Sequence, residues 1–488
     1  MNQAISAIAA PFVTQLSPST NLRHVVLTHL ARRMAIGALL GECLFSTANA
    51  HANGAFPAVS QLVSDPSDVA HLVLRSNFGL LTTHDRGSTW DLVCEGGIGY
   101  QNVEPPIALL ADGVVIAALP NGIAHGANTE CNFGIAAGVA SYVADVARVP
   151  SAPQEAVAVS VNFDRNSSQV WRTHDDGATW LAWGSELSDL NAATLDVAGS
   201  NGGVVYVSGV SQNGGVTGVL ARSDDGGQTW VRSAVPGATK VSAPYIAALA
   251  GDDANTVYVR LSGTPGHLLA THDGGQHLQT VLDFAGPFDG FTLSPDGRFA
   301  LASGRVDGVW RAPTDSLAFE RISCARLRCL SWTESGLFAC ADEFQAGFLV
   351  GESRDLGLSF ESRLHLSCIR GPLSCAADSS VAQACSAAWP TISEQLGTDC
   401  AAANALMPSS ACSGAGEEAG ASGSSSGSMS IAASAGKSGR LHPRGGSSGC
   451  MLGSSPSLVS AWLLGLAPLC WFARRAKFGR AFGKHSKQ

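Results

Sequence analysis

One short phrase recurs along this 488-residue chain and carries the residue types of a ligand or metal site. It reads Thr83-His84-Asp85-Arg86-Gly87-Ser88-Thr89-Trp90, then Thr173-His174-Asp175-Asp176-Gly177-Ala178-Thr179-Trp180. It returns as Ser223-Asp224-Asp225-Gly226-Gly227-Gln228-Thr229-Trp230. Two worn copies follow, Thr271-His272-Asp273-Gly274-Gly275 and Ser353-Arg354-Asp355-Leu356-Gly357-Leu358-Ser359-Phe360. A carboxylate beside a hydroxyl, with a histidine in three copies, could hold a cation. The same residues also make a hairpin staple. An Asp side chain accepts bonds from turn amides, and Gly takes the positive φ that tight turns need. Apolar pairs such as Leu80-Leu81 and Leu268-Leu269 lead in, and Leu92-Val93 and Val281-Leu282 lead out. That is strand, turn, strand, with the Trp starting the second strand and packing between sheets. The staple is the preferred reading. His84, His174 and His272 then occupy a variable turn position, too far apart to share a metal.

The elements that must position these turns follow from their spacing. Successive phrase Asp residues lie 90, 50, 48 and 82 residues apart. Each long interval fits two repeats with one degenerate copy. Asn128-Thr129-Glu130-Cys131-Asn132-Phe133 is one candidate and Pro313-Thr314-Asp315-Ser316-Leu317-Ala318-Phe319 the other. Seven markers then recur at roughly 40–50 residues, the length of a four-stranded propeller blade. Residues 204–207 and 256–259 read as inner strands, and 293–301 as strand, turn, strand. The expectation is an all-β chain, a seven-bladed propeller over 57–366, with six or eight blades open.

The phrase resembles the Asp-box (BNR) repeat of sialidase-like β-propellers, which also occurs in non-enzymatic propellers of the Ycf48 type. The resemblance implies structural roles for Asp85, Gly87, Trp90, Asp175, Gly177, Trp180, Asp225, Gly227, Trp230, Asp273, Gly275, Asp355 and Gly357. Sialidase chemistry needs three arginines clamping a carboxylate, a Tyr nucleophile helped by a Glu, and an acid/base carboxyl. The first of those arginines sits in an Arg-Ile-Pro phrase in that family, whereas Arg321-Ile322-Ser323 is late and lacks the Pro. The five Tyr lie in no recognisable catalytic context, and no nucleophile elbow, P-loop or dinucleotide fingerprint occurs. No catalytic residue, metal or cofactor is therefore expected. The expectation is a non-enzymatic, surface-displayed binding or scaffold propeller, taking a protein or glycan at one face. The alternative is a divergent glycan-active hydrolase. Three Arg with a Tyr at one channel mouth would favour the hydrolase.

The ends read as targeting segments. Residues 1–50 carry Arg23, Arg32 and Arg33, an apolar core at 34–40 and an Ala48-Asn49-Ala50 motif, which predicts signal cleavage after Ala50. Residues 413–449 contain 21 Gly or Ser, a linker composition. Cys450, an apolar run over 458–472 and Arg474-Arg475 resemble the myxobacterial C-terminal sorting tail. That resemblance implies processing at Cys450 and surface display, although 13 residues follow Arg475. A plain membrane anchor is the other reading. Between these ends, residues 51–449 hold 21 basic and 38 acidic residues, a net of −17, which disfavours nucleic acid and other polyanions.

Ten cysteines lie between signal and tail, an even number in an exported chain, and predict disulfides. Cys94 and Cys131 stand alone and are expected to pair. Cys324, Cys329 and Cys340 form one odd group, and Cys368, Cys375, Cys385, Cys400 and Cys412 another. If all pair, at least one bridge joins the groups. Segment 367–412 reads as a small disulfide-stapled cap. It opens with a helix over 378–389 stopped by Pro390, and a second short helix over 392–396 can follow.

Overall fold

The computed structural model describes residues 57–404, apart from 127–128, 200–201, 213–216 and 398. These residues form seven antiparallel sheets, each made of consecutive strands running outward from a central axis. The innermost strands are Val59–Ser64, Ile107–Leu109, Tyr142–Val149, Asn191–Val197, Pro244–Leu249, Gly290–Leu293 and Leu327–Thr333. Each packs beside the innermost strands of its two neighbours, and the seventh meets the first, so the ring closes. The fold is an all-β, seven-bladed propeller. Both degenerate phrases occupy the turn between third and fourth strands, in blades 2 and 6, with Asn128 outside the described residues.

Two expectations about strand placement need correction. Residues 205–207 and 257–259 belong to Val205–Ser211 and Val257–Leu261, which are second from the axis. A strand covered on both faces by neighbouring blades reads as a continuous apolar run. The innermost strands border the channel, are partly exposed in every blade but the second, and carry polar residues such as Asp145 and Asp196.

After its last strand, Glu361–Leu364, blade 7 hands the chain back to blade 1. Pro372 pairs in parallel with Leu92 on the outer strand Asp91–Cys94. Leu92 N donates to Gly371 O at 2.7 Å, and Leu373 N donates to Leu92 O at 2.8 Å. Helix Ser380–Leu396, capped by Ser379 Oγ accepting from Ala382 N, then packs on that strand and on the short helix Glu95–Ile98. Pro390 does not stop this helix, which continues through to Leu396. Val381, Cys385, Trp389, Ile392 and Leu396 form one apolar stripe across the proline and join the blade 1 core. Burial of several such side chains, about 1.5–3 kcal/mol each, outweighs the roughly 3 kcal/mol that an interior proline costs.

The disulfides correct the expected pairing. Cys94 bonds Cys385 and Cys131 bonds Cys375, so Cys94 and Cys131 each reach the cap instead of each other. Both cysteines lie on the outer edges of adjacent blades, and the returning chain covers both. Cys329–Cys340 closes within blade 7, and Cys368–Cys400 within the cap. Cys324 is also disulfide-bonded. Cys412, Ala50, the linker and the Cys450 tail lie outside the described residues. Among the described residues no helix is long and apolar enough to cross a membrane.

Candidate functional site

The recurring turns build the same hydrogen-bond set five times. Thr83 Oγ1 donates to Asp85 Oδ1 at 2.8 Å and accepts from Gly87 N at 3.0 Å. Thr89 donates to both carboxylate oxygens, N to Oδ1 at 2.8 Å and Oγ1 to Oδ2 at 2.6 Å. Asp175, Asp225 and Asp355 repeat this with Thr179, Thr229 and Ser359. In the fourth copy His277 takes the place of that Thr, with N on Asp273 Oδ1 at 3.0 Å and Nδ1 against Oδ2 at 2.5 Å. The sequence reading ended this copy at Gly275 and missed His277. Its position four residues after the Asp was the available signal.

These bonds stabilise the ionised carboxylates. Bonds from the Thr229 hydroxyl and amide hold Asp225 down at about 2. In Asp85, Asp175 and Asp355 burial works the other way, and the turn hydrogen bonds still hold the carboxyls below their ordinary range. Gly87, Gly177, Gly227, Gly275 and Gly357 all have φ between 82° and 97°. Trp90 and Trp180 are buried and return Nε1 to the carbonyls of Gly87 and Gly177 at 3.1 and 3.0 Å. Trp230 reaches Ser185 O in blade 3 at 3.4 Å. The turns lie one per blade, and each carboxylate is occupied within its own turn.

The channel holds a different set of groups. A cavity of about 580 Å³ is lined by residues including Asp65, Asp145, Arg148, Asp196 and Thr333. A second, of about 350 Å³, is lined by residues including Arg75, Asp145, Tyr245, Arg260 and Asp289. Asp145 borders both. Its Oδ1 accepts from Val146 N at 2.9 Å and its Oδ2 from Leu195 N at 3.1 Å. Burial outweighs those bonds and pushes its carboxyl up to about 7, while burial raises Asp196 to about 6.

The channel arginines are engaged by the protein. Arg75 donates to Ser60 Oγ at 3.0 Å and to Glu104 O at 3.3 Å. Arg148 donates to the carbonyls of Ser64 and Leu109 at 3.2 and 3.3 Å. Arg260 lies over the Tyr245 ring, 4.7 Å from its centroid. Asp289 takes both Nε and Nη2 of Arg305 at 2.9 and 3.0 Å. The sequence reading singled out none of these residues. The signal was an acid within each of two strand segments rich in Val, Ala and Leu, Tyr142–Val149 and Asn191–Val197.

No protein-family model matches the chain, and no curated protein matches it significantly. Solved structures do resemble it in fold. An ancestral GH74 enzyme aligns with 15% identity and a TM-score of 0.48, over 62% of this chain and 46% of the enzyme. The extracellular domain of a putative one-component system from B. thetaiotaomicron aligns with 13% identity and a TM-score of 0.41, over 59% of this chain and 37% of its own. YCF48 from Cyanidioschyzon merolae aligns with 13% identity and a TM-score of 0.41, over 58% of this chain and 92% of its own. The chain thus spans less than half of the first two. These neighbours include an enzyme and non-enzymatic propellers.

Proposed function

We propose that this chain is an exported Asp-box propeller that binds a protein or glycan partner at a channel mouth and does not cleave it. The carrying observation is the use of the channel arginines. Arg75, Arg148 and Arg260 are held by carbonyls, a hydroxyl and the Tyr245 ring, and Arg305 is neutralised by Asp289. Such arginines do not form the free three-pronged clamp that an anionic sugar needs. The two cavities give the polar concavity that a binding propeller uses. The disulfides support export, since such bonds persist in oxidising compartments. Surface display through residues 450–488 belongs to the same proposal. The test is a glycan array and a pull-down with the purified protein. Retention of a partner, lost in Asp145→Arg, supports the reading, and hydrolysis of the retained partner overturns it.

One observation favours a second reading. Asp145 and Asp196 both line the larger cavity, and burial raises both carboxyls toward neutrality. Glycoside hydrolysis uses a pair of carboxyls, one of them an acid whose pKa is raised by its surroundings. Glycan turnover abolished by both D145N and D196N would establish the hydrolase.

A further inference from the structure

A second cluster lies at the junction of blades 1 and 2, next to the larger cavity that Asp65 also lines. His71 is buried, and its ring stacks on that of His84 with centroids 4.2 Å apart. His71 Nε2 lies 3.0 Å from Glu130 Oε1, and its Nδ1 lies 3.3 Å from Asp65 Oδ2. One potential ligand atom each from His71, His84 and Glu130 falls within 4.8 Å of the others. Glu130 is 1% exposed, yet its Oε2 has no hydrogen-bond partner among the described residues. A buried carboxylate oxygen without a donor is costly. A protonated His71 between Asp65 and Glu130 would occupy Oε1 and leave Oε2 orphaned.

We propose that His71, His84 and Glu130 bind a divalent transition-metal ion, with zinc as the fitting case. Two imidazole nitrogens and a carboxylate are a zinc donor set that leaves a fourth position open, whereas calcium and magnesium take oxygen shells. Two ligands on a tetrahedral zinc at ~2.0–2.1 Å lie about 3.3 Å apart. The 3.0 Å between His71 Nε2 and Glu130 Oε1 is close to that separation. Asp65 supplies the outer support. Its Oδ1 is taken by Ser67 N at 2.7 Å and Ser67 Oγ at 2.6 Å, which leaves Oδ2 for His71 Nδ1. A proton held on Nδ1 by a carboxylate frees Nε2 to ligate, and this carboxylate–histidine pairing recurs beside zinc. Both remaining ligands are anchored. His84 sits inside the stapled turn of Asp85, and the neighbour of Glu130, Cys131, is bonded to Cys375. His84 is exposed, which leaves the open position on the solvent side.

The same turn position is His174 in blade 3 and His272 in blade 5, where the rings meet Glu155 and Thr256 instead. This supplies an internal control. Untagged full-length protein is stripped with a chelator, then titrated with zinc sulfate by calorimetry, and its metal content is measured after dialysis. One retained zinc per chain is expected, with no comparable calcium binding. H84A and E130Q should each weaken zinc roughly tenfold or more, and H174A should not. Because His84 is exposed, H84A tests the site even where E130Q fails to fold. No retained zinc in the wild-type chain overturns the proposal. So does zinc binding that H84A leaves intact, or that H174A weakens equally.

Discussion

Gly177 has φ +85°, and a Cβ there would lie 2.2 Å from Ile116 Cδ1 in blade 2. Both the turn and the blade contact therefore exclude a side chain. Gly177→Ala should lower stability by at least about 1–2 kcal/mol, read as a drop in the denaturant midpoint. Trp180, 1% exposed, fills the space between blades 2 and 3, and Trp180→Ala should cost about 3–5 kcal/mol. The turn carboxylates set an acid limit. Asp225 is held at about 2 against an ordinary 3.8, so the folded state binds protons less readily than the unfolded one. Its contribution is present above pH ~4 and lost as pH falls toward 2. Melting temperatures should therefore fall between pH 4 and 2, and less steeply in D225N. These residues were legible in the chain because the turn chemistry is local: hydroxyl, carboxylate and glycine lie within five positions.

The element least legible was the helix Ser380–Leu396. Local propensity places a stop at Pro390, and the apolar stripe from Val381 to Leu396 overrides it by packing on blade 1. Pro390→Ala should stabilise the protein by about 1–3 kcal/mol, since it restores a helix hydrogen bond and removes a steric conflict. A lower denaturant midpoint for that variant would show that the proline is needed there. The cap acts as the ring's clasp. Residues 371–373 extend blade 1, and Cys94–Cys385 joins positions 291 residues apart. Replacing both cysteines by Ser should cost about 2–5 kcal/mol and lower the melting temperature toward that of the reduced protein. Cysteine parity could count bridges but not pair them, because pairing depends on which edges the returning chain covers.

At the scale of the molecule, seven innermost strands meet around one channel and bring Asp145 and Asp196 to its wall. Burial raises Asp145 to about 7, so the folded state holds a proton that the unfolded chain releases near 3.8. Folding is favoured by this group below pH ~4, and its contribution is lost as pH rises from there to about 7. Stability should therefore decline over that window, and D145N should flatten the decline in calorimetric scans. Residues 450–488 belong to the proposal of surface display. Deleting them should release the protein into the medium, and unchanged retention on cells would remove the tail as anchor.

The repeat period and the turn phrase were enough to determine blade architecture and to point to about seven blades, because each blade is a local, consecutive unit and five of the outer turns are stapled by their own residues; the ring's closure decided seven over six or eight. The tertiary structure alone decided three further things. It paired Cys94 and Cys131 with the cap, since partners 291 and 244 positions away along the chain leave no local record of where the ends meet. It gathered Arg75, Asp145 and Arg260 from blades 1, 3 and 5 around a channel that closes only when the seventh blade meets the first. And it set His84 against His71 and Glu130, while His174 and His272, in the same phrase, met other neighbours. A turn's own geometry is written within a few residues; what stands opposite it is set by the blade packed alongside.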